Sequence, residues 1–183
     1  MSDMPTLPGF WALGWDAVER ACALTGVQVH HPVLATMSDA GPQVRTLVLR
    51  VVDRAGCALE MQTDLGSSKV SELHNDPRAQ VLIWDTDALL QARLSCQVKV
   101  LTGAETAGRW DLIPERSRRG YGARPTPATP IADPFAYEKP SDFNGFAVLS
   151  AQVTQVEFMQ LEDPHRRAIF ARSDDWAGQW VVP

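Results

Sequence analysis

Residues 90–101, LQARLSCQVKVL, alternate between two kinds of side chain. Leu90, Ala92, Leu94, Cys96, Val98 and Val100 point one way, and Gln91, Arg93, Ser95, Gln97 and Lys99 point the other. Such a period commits the segment to a strand with one buried and one polar face. A strand of this length with one wet face commonly curls around a barrel.

The same period returns upstream in shorter units. It predicts strands over His31–Met37, Val44–Val52 and Cys57–Thr63, separated by turns at Asp39-Ala40-Gly41-Pro42 and Asp53–Gly56. These connections are too short for crossover helices, so the strands form an antiparallel meander. Further strands are expected at Ala79–Trp84, Phe143–Val153, Val156–Leu161, Arg166–Phe170 and Gln179–Val182, with a hairpin turn at Asp174–Gly178. Helical spacing of Trp11, Trp15, Val18 and Cys22 predicts a helix over Trp11–Leu24 that Gly26 stops, with Asp16 and Arg20 as an i,i+4 pair. Shorter helices are expected over 66–75 and 104–112. The stretch from Ala123 to Asp142 carries Pro125, Pro127, Pro130, Pro134 and Pro140 and reads as a long extended loop. The expected fold is mainly β: one domain over 1–183, a barrel of about six to eight strands with peripheral helices. A strand-rich open sandwich is the alternative.

Composition narrows the partners. The 183 residues are 45% apolar, enough for a core, and the formal charge is -5, which argues against a general nucleic-acid binder. Cys22, Cys57 and Cys96 are sparse and odd in number, reading as thiols of a reducing compartment. No apolar run reaches membrane length and the first residues lack the basic start of a signal peptide, so a cytoplasmic protein without membrane or nucleic-acid partners is expected. His30, His31, His74 and His165 have no metal-binding spacing, so no metal is expected; HExxH, GxSxG and GxGxxG are absent too.

Two local features suit an anion. Arg45 shares a strand face with Leu47, Leu49 and Val51, where a guanidinium is costly without a partner. That partner is either a ligand or a carboxylate of the chain, and periodicity does not decide. Thr63-Asp64-Leu65-Gly66-Ser67-Ser68-Lys69 then places small, hydroxyl-bearing residues before a helix, whose N-terminal amides and dipole favour a phosphate. A plain serine cap is the other reading. Gln97, on the polar face of the long strand, both donates and accepts, as the edge of a heterocycle requires.

In this order the segments HPVLATMSDAGPQVRTLVLR, LEMQTDLGSSK, NDPRAQVLIW, CQVKVLTG and VEFMQLEDPHRRAIF resemble the pyridoxamine 5'-phosphate oxidase-like FMN-binding split barrels, from about His31 to Pro183. The resemblance implies a split β-barrel with peripheral helices, FMN as cofactor and a homodimer with sites at the interface. Carried over, Arg45 and Lys69 bind the FMN phosphate with Ser68. The backbone of Thr46, Leu47 and Val48 lies along the isoalloxazine ring, with Gln62 and Thr63 beside it, and Gln97 reaches the ring from a neighbouring strand or subunit. Arg50, Tyr121 and Arg166 are candidate contacts for a small-molecule substrate.

The departures bear on the reaction. The family's serine–arginine–lysine run is Ser67-Ser68-Lys69 here, one guanidinium fewer, and its strand lysine is Arg50. Arg166 matches the first arginine of the oxidase's C-terminal arginine–x–histidine–x–arginine pattern, but Ala168 and Phe170 occupy the other two positions. Met159 replaces an aromatic near the flavin, and ERSRRGYG lacks a clear equivalent of the oxidase's substrate-phosphate set. The expectation is an FMN-dependent oxidoreductase of unidentified substrate, with pyridoxamine 5'-phosphate disfavoured and no catalytic residue assigned. A non-catalytic FMN or other cofactor-binding carrier is the alternative, and a structural dimer with solvated Arg45 and Lys69 is a third reading.

Overall fold

The computed structural model describes residues 6–23 and 32–183. Leu24 and Gly26, expected to end the first helix, and His31, expected to start the first strand, lie outside them. Helix α1 spans Leu7–Ala23, starting four residues before the expected Trp11. It buries Phe10, Trp15, Val18 and Ala21 against the sheet, and Gly14 lets it approach so closely that a Cβ added there would lie 2.4 Å from the Phe158 ring. Asp16 and Arg20 do not pair with each other. Asp16 receives Arg54 at 2.8 Å and Arg20 reaches Asp85 at 2.7 Å, because both side chains have tertiary partners over the neighbouring strands and turns.

Nine strands among the described residues share one sheet: β1 (Val33–Ser38), β2 (Gly41–Thr46), β3 (Leu49–Asp53), β4 (Ala58–Asp64), β5 (Arg78–Asp85), β6 (Leu90–Thr102), β7 (Phe146–Gln160), β8 (Arg166–Ala171) and β9 (Gln179–Trp180). Helix α2 (Ser68–Asn75) follows β4, and two short helices, α3 (Ala107–Asp111) and α4 (Glu115–Arg118), follow β6. The strict alternation of the long strand holds: Leu90, Ala92, Leu94, Cys96 and Val98 are buried in β6, while Arg93, Gln97 and Lys99 are exposed.

The sheet is not closed into a barrel, and the split-barrel expectation is corrected here. Seven strands run in the order β2-β1-β5-β6-β7-β4-β3, with β8 added beside β7 and β9 beside β8. Strands β2 and β3 are the two ends of that path, and no ladder joins them among the described residues. The six neighbouring pairs between them are all antiparallel, so β2 and β3 point the same way. Pairing consecutive parallel strands needs a crossover of roughly a dozen residues. Only Leu47 and Val48 lie between Thr46 and Leu49. The expected Val44–Val52 strand is therefore two strands, one at each end of the path.

Two bulges reset the faces. Between Leu49 and Val51 the register against β4 shifts, so Val52 turns inward and Val51 is 43% exposed, against the Arg45-Leu47-Leu49-Val51 face expected from spacing. Between Ser95 and Cys96 the partner of β6 jumps from Gln155 to Val153. The two strands expected over 143–161 are thus one continuous β7 with a local irregularity at Thr154.

A second, smaller cluster packs outside the sheet. Ile113, Tyr121, Phe146 and Val148 are buried together beneath Trp110 and Phe143. The proline-rich loop is tied in beside it: Arg124 and Glu138 exchange two backbone hydrogen bonds, 3.0 and 2.7 Å. No helix among the described residues is long and apolar enough to cross a membrane.

Candidate functional site

Strand β2 puts Gln43, Arg45 and Leu47 on its half-buried side, and Pro42, Val44, Thr46 and Val48 on its exposed side. The Arg45 guanidinium, 21% exposed, does not point into solvent. One terminal nitrogen donates to the Thr36 hydroxyl and, at 3.2 Å, to the Gln43 carbonyl; the other donates to the Glu72 carboxylate at 2.8 Å. The Thr36 hydroxyl also donates to that carboxylate. Thr36 comes from β1 and Glu72 from α2, both buried. Neither was visible as a site residue in the sequence.

Lys69 completes the cluster from the first turn of α2. Its ammonium donates to the Thr63 hydroxyl at 3.1 Å and has no carboxylate within ion-pair distance among the described residues. Burial lowers its pKa from the ordinary lysine value, and the Arg45 charge lowers it further, against weaker opposition from Glu72 and Asp64. Ser67 stands at the N-cap of α2 but its hydroxyl does not cap the helix; it binds the Asp64 carbonyl at 2.7 Å and Thr63 at 3.1 Å. The first amides of α2 are left without a side-chain acceptor, next to exposed Ser68 and half-buried Lys69. Uncapped helix amides, a lysine without a carboxylate and a fixed arginine suit one small multiply charged anion. This donor set fits the phosphate end of FMN.

The other expected residues divide between places. Thr63 belongs to the Lys69 cluster. Gln62, its neighbour on β4, faces the other way and accepts from the Tyr121 hydroxyl at 3.3 Å. Arg50, exposed at the β3 bulge, lies beside the same hydroxyl: burial raises the Tyr121 pKa, and the charge and hydrogen bond of Arg50 partly offset it. Arg50, Gln62 and Tyr121 thus form one group, separated from Lys69 by the thickness of β4. Leu47 packs against the core and its amide already donates to the Pro32 carbonyl at 3.0 Å, while Thr46 and Val48 are exposed. Gln97 is exposed in a groove of about 430 Å³ with Arg78, Gln80, Met37 and Thr36. Thr36 therefore joins that groove to the anion cluster. Arg166 stands apart, donating to Gln160 and, at 3.5 Å, to Glu162, with its guanidinium 5.6 Å from the Phe10 ring centre.

Asp64 was not singled out in the sequence, yet it organises the surroundings. One carboxylate oxygen accepts from the Gly66 amide at 2.7 Å, the other from the amides of Gly122 and Ala123 at 2.7 and 3.1 Å. A Cβ on Gly66 would come within 2.5 Å of Thr126, so the proline-rich loop lies directly on the turn that enters α2. Only the spacing of Asp64 before Gly66 hinted at such a turn.

Comparison with known proteins bears on this geometry. Residues 15–102 match the sequence model of the pyridoxamine 5'-phosphate oxidase, FMN-binding domain family. No curated protein matches the chain in sequence. A protein of Nostoc punctiforme PCC 73102, described as a pyridoxamine 5'-phosphate oxidase-related, FMN binding protein, superimposes with a TM-score of 0.78 at 22% identity, covering 100% of both chains. PhzG of Burkholderia lata 383, solved with tetrahydrophenazine-1-carboxylic acid, gives a TM-score of 0.71 at 18% identity over 99% of this chain and 95% of its own. A general stress protein 26-related protein of Clostridium acetobutylicum gives 0.61 at 12% identity, over 93% of this chain and 99% of its own. At these identities the structural likeness is one of fold. The sequence match is to residues 15–102, just under half of the chain, while the likeness in fold extends over essentially all of it.

Proposed function

We propose that this protein binds FMN and serves as an FMN-dependent oxidoreductase for a small organic substrate. The observation that carries the reading is the convergence of Arg45, Lys69 and the uncapped start of α2, where the Arg45 charge bears on Lys69 and, among the described residues, only Arg45 has a carboxylate partner. A phosphate there relieves the repulsion between them. When bound, the flavin supplies hydride acceptance. The chain's residues hold and orient it: Arg45, Ser68 and Lys69 at the phosphate, Thr46 to Val48 along the ring, with Thr63 setting the position of the Lys69 ammonium. Gln97 serves the ring edge, and Arg50 with Tyr121 and Gln62 offers a polar contact for substrate.

Pyridoxamine 5'-phosphate is not the substrate we favour. Arg166 is engaged with Gln160 and Glu162 above Phe10, away from the anion cluster. We also propose a homodimer, because Met37, Pro42 and Val44 form a cross-strand exposed patch on β1 and β2, with Val44 68% exposed.

The first test is the absorption spectrum of purified protein. Flavin absorption is expected, and Arg45→Glu and Lys69→Glu are each expected to abolish it; colour that survives both substitutions removes the phosphate assignment. Anaerobic reduction with NADH, NADPH and pyridoxamine 5'-phosphate then separates an enzyme from a carrier. Rapid bleaching by pyridoxamine 5'-phosphate would restore it as the substrate.

A further inference from the structure

We infer that Glu72 is a positioning residue for the anion site, acting through Arg45, and that it sets the preference for a phosphorylated over an unphosphorylated ligand. The inference rests on the FMN reading of this site. Glu72 is 8% exposed, and an acid on a short surface helix has no structural need to be buried. Its carboxylate accepts from Arg45 at 2.8 Å and from the Thr36 hydroxyl. Burial alone would raise its pKa, but the Thr36 hydrogen bond, the charge and hydrogen bond of Arg45 and the Ser68 hydroxyl together lower it, so it is ionised at neutral pH.

The contacts show what this carboxylate does to the arginine. Thr36, Gln43 and Glu72 engage three of the five guanidinium N–H groups, among the described hydrogen bonds. The Nε–H and one terminal N–H have no protein partner there. These two form one edge of the fork, the arrangement that receives two oxygens of a phosphate side by side. Glu72 and Thr36 thus hold the guanidinium by its far end and leave the near edge for the ligand.

Charge also enters. Removing the Glu72 carboxylate adds net positive charge, which by itself would tighten anion binding. It also leaves Arg45 and Lys69 as unrelieved like charges in a half-buried place. A long side chain already 21% exposed then has a low-cost escape into solvent. Orientation outweighs net charge here, because the bidentate geometry depends on fixing the whole fork and not on the summed potential.

The test compares FMN with riboflavin, which shares the ring and lacks the phosphate, by fluorescence titration of the full chain. In Glu72→Ala the ratio of riboflavin to FMN Kd is expected to fall roughly tenfold or more, the loss of about one charge-assisted contact, with riboflavin affinity unchanged. Glu72→Gln keeps an acceptor oxygen for Arg45 and Thr36 and is expected to recover part of the ratio. Unchanged riboflavin binding also shows that each variant is folded. A ratio equal to wild type in both variants, or FMN bound more tightly in either, overturns the inference while the FMN reading stands. Wild-type protein that fails to prefer FMN over riboflavin overturns the FMN reading, and this inference with it.

Discussion

Lys69 meets two opposing conditions: holding an anion at the start of α2 needs the ammonium, while burial and Arg45 both favour the neutral amine. Its pKa is therefore lowered in the folded protein, and an anion bound beside it raises it again. The sign follows directly. Below the lowered pKa the lysine is protonated and the phosphate is held; above it the ammonium is lost and so is the attraction. FMN affinity is expected to be constant through neutral pH and to weaken as the pH rises through the lowered Lys69 pKa, below the ordinary lysine value. Riboflavin affinity measured over the same range is expected to stay flat; a parallel decline in both would assign the pH effect elsewhere. At this scale the sequence was readable for the cations and unreadable for their partners. Arg45 stood out because an arginine on an apolar strand face is costly. Glu72 did not, because in SKVSELHN it reads as an ordinary solvated helix acid. Only the packing of α2 on β1, which brings together residues 36 positions apart, makes it the partner of Thr36.

Among the elements, α1 shows how closely a helix is set on this sheet. Gly14 faces Phe158, whose ring atoms would lie 2.4 Å from an added Cβ. Alanine is the better helix former by about 1 kcal/mol, but the overpacking it causes costs roughly 1–3 kcal/mol. Gly14→Ala is therefore expected to lower stability by up to about 2 kcal/mol in urea unfolding, against the direction of helix propensity. A stabilised variant would show that α1 can lift off the sheet without cost. The sequence announced α1 and β6 clearly, since a long periodic run averages over local exceptions. It split β7 in two at Thr154-Gln155, the place where the β6–β7 register slips. A bulge interrupts the alternation without interrupting the strand, and a period-based reading sees only the interruption. The Arg50 bulge acted in the same way, moving Val51 to the exposed side.

Across the whole molecule, the open sheet was the feature least legible in advance. Alternation reports which face of a strand is buried; it is silent on which strand ends a sheet. The decisive fact was the two-residue passage at Leu47-Val48, which is too short for β2 and β3 to pair side by side. Buried acids tie this sheet to the elements around it. Glu72 links α2 to β1 and β2. Asp85, 5% exposed, links β5 to α1 through Arg20 at 2.7 Å. Burial alone would raise the Asp85 pKa, but the Ala88 amide, the hydrogen bond and charge of Arg20 and the Asp87 amide lower it. For carboxyls whose folded pKa is depressed, the added stability is full above the unfolded value and is lost as pH falls through the folded one. Unfolding free energy is therefore expected to hold from neutrality to about pH 5 and to drop below about pH 4. Chemical denaturation at stepped pH checks it. Asp85→Asn is expected to flatten part of that drop; an unchanged slope would mean that Asp85 does not supply the linkage.

Asp64 closes the chain of contacts differently from the other acids. Among the described residues it pairs with no cation and accepts from three backbone amides: one in the turn into α2 and two at the start of the proline-rich loop. Loop and anion cluster are thus registered on a single side chain, like two walls sharing one cornerstone. The loop's place is set by the same carboxylate that shapes the turn into α2. One side chain thus fixes the turn and the start of the loop relative to each other.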